Sequence, residues 1–341
     1  MKTLFGIVGM FLLACAAMAE YPAYPEIADG IRCGDKWDAG HLQGFDADAE
    51  HIYWVFTRRL VKTDLKGNVV KDIAIKKEKN ASRLHGGDPC VVDGIVYVAF
   101  CGGAFNQVPE DPVNVPLYIQ LYDSELNYIK SYHVPEVQYG VGGMTYANGH
   151  FYIIGGRPWE MPGNRVQKFD KEFRYLQSYE LPMNTVMGIQ TISFDGTYFY
   201  FGCYSFPNAL YRTDASFQNL QYFNTNAGAY GMIPLKNGKM LCATSRYVNE
   251  NGKRLSISTA RIIDPEKHLK KVHIITLDAK GKMTFNSEEI DPSKLQGKLK
   301  EEKNKSFVIR CTPDVSLTDA VALRGLVTST ASKDVELEIL R

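Results

Sequence analysis

A short apolar strand that ends in Asp, turns, and resumes as another apolar strand occurs five times in this chain. The copies are LVKTDLKGNVV (60–70), YIQLYDSELNYI (118–129), RVQKFDKEFRYL (165–176), ALYRTDASFQNL (209–220) and HIITLDAKGKM (273–283). Upstream of each lies a hairpin with a tight two-residue turn: Ala49-Glu50, Asp93-Gly94, Asn148-Gly149, Asp195-Gly196 and Asn237-Gly238. Asp-Gly and Asn-Gly accept the positive φ angles that such turns require. Each unit therefore reads as four antiparallel strands, A to D, with a tight A–B turn, a longer B–C loop and an Asp closing strand C. The Asp side chain is expected to accept backbone N–H bonds in the C–D turn, a structural role.

Four-stranded units repeating at about 45 to 60 residues describe the blades of a β-propeller, so the expected fold is all-β. Five blades fit residues 41–294, after a leader (1–19) and an N-terminal segment (20–40). Residues 295–306 (LQGKLKEEKNKS) read as a charged linker. Beyond it, SFVIRCT, VALRGLVTST and VELEIL in 307–341 read as further strands. They form either an appendage or, with the N-terminal IADGIRCG, a sixth blade.

Residues 1–19 carry the pattern of a secretory signal: Lys2, an apolar run from Leu4 to Ala14, then Ala17-Met18-Ala19 at a cleavage point. Leu12-Leu13-Ala14-Cys15 also reads as a lipobox, so the alternative to a periplasmic or secreted protein is a lipoprotein anchored through Cys15. No later stretch approaches the 18 or so apolar residues of a membrane-spanning helix. Without Cys15, six cysteines remain, and an oxidising compartment would allow three bridges, with buried free thiols as the alternative. No Cys/His spacing of a zinc site occurs. With 39 basic against 38 acidic residues, nothing electrostatic calls for a nucleic-acid partner.

The A–B turns are uniformly tight. The distance from the second turn residue to the strand-C Asp is 14, 29, 21, 18 and 40 residues in the five units, so the B–C loops absorb the variation. Loops on a rigid scaffold are where sites are built, and these loops share a face with the starts of the inner strands. Aligning units on their A–B turns puts His41 and His85 at one position of adjacent inner strands. Gln43, Asp88, Tyr139, Gln190 and Tyr230 follow near the same rim. The B–C loops add Arg58, Arg59, Asn106, Arg157, Trp159, Tyr204, Arg246 and Tyr247. Guanidiniums facing one opening suit bidentate capture of carboxylates or phosphates, and aromatics beside them suit sugar rings. Arg58, Tyr139, Arg157, Gln190, Tyr204, Tyr230 and Arg246 are thus the expected ligand-binding residues. His41, His85 and Asp88 are the candidates for catalysis. No metal or cofactor is assigned.

The first unit reads His41-Leu42-Gln43-Gly44-Phe45, then Ile52-Tyr53-Trp54-Val55, then Val61-Lys62-Thr63-Asp64-Leu65-Lys66-Gly67. Over about 30 residues this resembles the first blade of the five-bladed glutamine cyclotransferases, and the repeats resemble secreted bacterial β-propellers generally. The acidic residue that family carries after the Tyr is here Trp54, which transfers no proton, so its activity does not follow. Inner-strand carboxylates suited to a glycosidase pair are confined to Asp46 and Asp88. The expected function is therefore binding of a small anionic or saccharide ligand at the B–C loop face. The alternative is a lyase or hydrolase of an acidic saccharide there, with His41 or His85 as base. A scaffold role through the blade exteriors or the tail is the third reading.

Overall fold

The computed structural model describes residues 27–33 and 40–339, apart from 104–107, 112, 159–160, 162, 182, 184, 186, 204–208, 226, 236–237, 251–252, 269–270, 287 and 313. Residues 1–19 with Cys15, and Asn106, Trp159 and Tyr204, lie outside the described residues.

Strand β1 (Ile31–Cys33) comes first in the chain and finds its partner more than 200 residues later. Four meanders follow. The first is β2 (Leu42–Ala47), β3 (His51–Phe56), β4 (Arg59–Asp64) and β5 (Val69–Ala74). The second is β6 (Gly86–Val92), β7 (Ile95–Cys101), β8 (Leu117–Asp123) and β9 (Tyr128–His133). The third is β10 (Gly143–Ala147), β11 (His150–Ile154), β12 (Asn164–Phe169) and β13 (Tyr175–Leu181). The fourth is β14 (Ile189–Phe194), β15 (Tyr198–Cys203), β16 (Ala209–Asp214) and β17 (Gln221–Asn224). A fifth sheet holds β18 (Met232–Pro234), β19 (Met240–Glu250) and β20 (Lys253–Ile263), and its outermost strand is β1, with Ile31 opposite Ala260 and Cys33 opposite Ser258. The inner strands meet in a circuit: β2 contacts β6, β6 contacts β10, β10 contacts β14, β14 contacts β18, and β18 returns to β2. The fold is a β-propeller.

The turn chemistry explains why the units fold alike. Asp64 accepts from the N–H groups of Lys66 and Asn68 at 2.9 and 2.8 Å, and Asp123 from Glu125 and Asn127 at the same two distances. Asp170 and Asp214 repeat the arrangement. A carboxylate holding the i+2 and i+4 amides fixes the loop that returns strand C into strand D. The core fills the spaces between sheets. In the first, Trp54 stacks on Phe45 at 4.9 Å and donates to Thr63 Oγ1 at 3.0 Å, so Trp54 is a core residue.

Three expectations need correction. The fifth Asp signature does not belong to the ring. Asp278 makes the same turn, with Lys280 and Lys282 N–H at 2.9 Å, but it joins β21 (Lys271–Leu277) to β22 (Met283–Phe285) outside it. Strand C of the fifth sheet is instead β20, with Asp264 just beyond its end, and the N-terminal β1 supplies strand D. Residues 295–306 are not a linker. After β23 (Glu288–Ile290) and the one-turn α1 (Pro265–His268) earlier, Asp291 caps α2 (Pro292–Glu301) by accepting from Ser293 N–H at 2.8 Å, and Leu295 and Leu299 line its buried face. The tail is not all strand either: between β24 (Ser306–Cys311) and β25 (Val335–Ile339) runs α3 (Leu317–Thr330), capped by Ser316.

The C-terminal unit is thus a small α/β layer, its strands β21, β24 and β25 parallel. Side-chain alternation splits its burial. Ile275, Leu277, Phe307 and Ile309 pack against the helices, while Val272, Ile274 and Val308 join the core between the third and fourth sheets. Strand β21 also pairs with β17, the outer edge of the fourth sheet. Among the described residues no helix is long and apolar enough to cross a membrane.

Candidate functional site

The two faces of the ring carry different chemistry. On the B–C loop face, the long β19–β20 hairpin carries Tyr247 over the start of β2. There His41 Nδ1 lies 2.9 Å from Tyr247 Oη, and His41 Nε2 lies 2.9 Å from Gln43 Nε2. Gln43 Nε2 can only donate, so His41 accepts at Nε2, carries its proton on Nδ1 and donates to Tyr247. Tyr230 stands edge-on to His41 at 6.2 Å between ring centres. Sequence reasoning expected these residues to converge, and they do. The same geometry engages both ring nitrogens of His41, which weakens its candidacy as a general base. His85, just before the neighbouring sheet's β6, is half-buried, and burial first, then the nearby Arg83 charge, pulls its pKa down to about 4.

The arginines are engaged differently. Arg157 reaches outward along the third sheet to Glu180 at 2.8 Å, and Arg165 takes the other oxygen of that carboxylate at 2.7 Å. Arg58 and Arg246 are exposed. Arg59 pairs with Asp72 at 2.6 Å on the outer strand of its own sheet. Tyr139 is half-buried beside Arg157 and Gly155, and Gln190 is buried, donating to the Met187 carbonyl at 2.6 Å. The Arg157 guanidinium, one of those that motivated an anionic ligand, is therefore already paired with a carboxylate of its own sheet.

Asp88 is also placed differently from expectation. It lies inside the ring on β6, three residues after His85, and is 3% exposed. Its carboxylate accepts from Ile192 N–H of the fourth sheet at 3.3 Å and from the backbone of Phe45 in the first. Its own N–H donates to Gly142 O at 2.8 Å. Two glycines make this possible: a Cβ on Gly44 would stand 1.9 Å from Asp88 Oδ1, and one on Gly143 would stand 2.5 Å from Asp88 Cβ. Asp46 does similar work between the first two sheets, accepting from Val91 N–H at 2.7 Å. Burial first, then the Asp46 charge, pushes the Asp88 carboxyl well above the usual carboxylate range.

Beyond this plug the ring axis opens into a cavity of about 460 Å³. Asp46 and Asp88 are in its lining; Phe45, Met144, Ile192 and Met232 supply apolar wall, with Thr145 and Ser193 among them. Asp93, Asn148, Lys171 and Gly196, all from A–B or C–D turns, mark the mouth. The cavity thus opens on the tight-turn face, opposite the expected one. Loop-length variation pointed elsewhere; the overlooked signal was Asp46 and Asp88 occurring as carboxylates on inner strands. Among the described residues no group of three or more His, Cys, Asp or Glu could hold a metal, and the six described cysteines are buried free thiols.

No protein-family model and no curated protein matches the chain. Solved structures similar to it include a protein of unknown function from Bacteroides caccae, 13% identical, with 60% of this chain and 71% of that one covered at a TM-score of 0.40. The WD40 domain of Neurospora crassa Pan2 is 9% identical over 67% of this chain and 76% of that one, TM-score 0.37. The WD40 propeller domain of Doa1 is 12% identical over 63% and 62%, TM-score 0.38.

Proposed function

We propose that this chain is an exported β-propeller that binds a small molecule on the ring axis, admitted from the tight-turn face. The observation that carries this reading is the cavity of about 460 Å³, which falls within the range of about 300–1,000 Å³ occupied by small-molecule sites and combines apolar walls with a few convergent polar groups. A carboxyl group with a strongly shifted pKa at such a place supports it further. Export rests on the signal pattern of residues 1–19 alone. Binding at the loop face, through His41, Gln43, Tyr230 and Tyr247, is supported by their convergence but by less enclosure. The lyase or hydrolase alternative has less support still, because His41 is engaged at both nitrogens.

The test is a thermal-shift screen of the mature protein against amines, alcohols, sugars and uronic acids, followed by titration of any hit with two variants. Specific binding raises the melting temperature with the logarithm of ligand excess over Kd. Thr145→Trp places an indole in the cavity and should abolish binding; Tyr247→Ala, on the other face, should leave affinity within about twofold. The reverse pattern would move the site to the loop face.

A further inference from the structure

We infer that the molecule held in the axial cavity is uncharged, with an apolar body and a hydroxyl group that Ser193 and Thr145 address. This rests on the cavity reading above and names the ligand class for that site. The two carboxyl groups in the lining are spent on the protein itself. Asp46 accepts from Ala47 N–H through Oδ1 at 2.9 Å and from Val91 N–H through Oδ2 at 2.7 Å. Asp88 is seated against Gly44 and Gly143 and accepts from the amides of Ile192 and Phe45. The Cys90 thiol takes the Tyr146 amide. At the mouth, Lys171 stands 4.0 Å from Asp93 and 5.5 Å above the Tyr146 ring. What the interior still offers a ligand is two hydroxyls, Thr145 on β10 and Ser193 on the neighbouring β14. Neither hydrogen-bonds to another described residue. Ser193 is 3% exposed, so the little surface it keeps belongs to the cavity it lines. A hydroxyl both donates and accepts, so one ligand hydroxyl can accept from one of the two and donate to the other. A charged ligand would lose its hydration here without gaining a counter-charge. An ammonium would compete with backbone amides for the carboxyl oxygens, and a carboxylate would meet two carboxyl groups. Phe45, Met144, Ile192 and Met232 receive the apolar body.

The experiment is titration of the mature protein at neutral pH, followed by its melting temperature, with benzyl alcohol, benzylamine, benzoate and toluene. Benzyl alcohol should bind at least about tenfold more tightly than either ion. Ser193→Ala should weaken benzyl alcohol about fivefold and leave toluene, which has the ring but no hydroxyl, within about twofold. The wild-type ranking of the probes needs no variant and so stands even where a substitution impairs folding. Benzylamine or benzoate binding as tightly as the alcohol, and blocked by Thr145→Trp, would overturn the inference and leave the cavity reading intact. An alcohol affinity unchanged in both Ser193→Ala and Thr145→Val would overturn it as well. Binding of no probe, or no effect of Thr145→Trp, would remove the cavity reading and this inference with it.

Discussion

His85 shows how one side chain ties this fold to pH. Its imidazole is neutral in the folded ring, with a pKa near 4 set mainly by burial, whereas the unfolded chain titrates near 6.5. The unfolded state therefore takes up a proton first as the medium is acidified. Stability attributable to this group is full above about pH 6.5 and is lost as the pH falls towards 4. The shift corresponds to a loss of up to about 3 kcal/mol. A His85→Gln variant should show a flatter melting-temperature profile between pH 7 and pH 4 than the wild type; parallel profiles would show that the buried imidazole is not responsible. Such behaviour could not be anticipated from His85 as a letter in a repeat alignment. The alignment placed it correctly at an inner-strand start, but burial depends on how the neighbouring sheet covers it. Asp88 makes the same point in the opposite direction. It was legible as an inner-strand carboxylate, and its seat between Gly44 and Gly143 became visible only once β2 and β10 were brought against β6.

Single elements were read well where their chemistry is local. The aspartate that closes strand C holds its own turn through amides two and four residues on, so it behaves alike wherever it occurs. Asn127 also donates to Asp123, and this hydrogen bond is the first cause of that carboxyl's lowered pKa. Asp123→Ala should lower the melting temperature by about 2–4 °C at neutral pH. Because the folded-state pKa is depressed, the stabilisation is present above the ordinary carboxylate value and fades as the pH falls through the lower folded value. The gap between variant and wild type should therefore narrow as the pH falls below the ordinary carboxylate value, as thermal melts across pH 7 to 2 would reveal. A constant gap would point to a purely steric cause. The helices were missed for reasons also visible locally. α3 is rich in β-branched residues and contains Gly325, which favours a strand reading. Yet Ser316 and Asp319 form a helix-start pair, and Ala320, Leu323 and Val327 fall on one face. Likewise Asp291-Pro292 announces α2, with Leu295 and Leu299 one turn apart.

For the whole molecule, closure is the deciding event. Strand β1 completes the fifth sheet, and Ile27, Ile31 and Cys33 join a core with Leu42, Phe45 and Trp54. Removing residues 27–33 would strip β20 of its outer partner and expose that core. Burial of three such side chains contributes roughly 5 kcal/mol, so the truncated protein should melt about 5–10 °C lower in calorimetry. An unchanged melting temperature would mean the ring holds without its closing strand. The amino-acid sequence by itself determined what depends on near neighbours: the tight A–B turns, the Asp-closed C–D turns, the four-strand rhythm and hence the propeller class. It could not decide which strand finishes the fifth sheet, since a turn identical to the others also forms at Asp278 in the α/β unit, and pairing is chosen by which edge remains open. Nor could it decide the face that carries the cavity. Loop lengths are written along the chain, whereas the space left on the axis is what remains after inner strands from opposite sides of the ring have packed around Asp88.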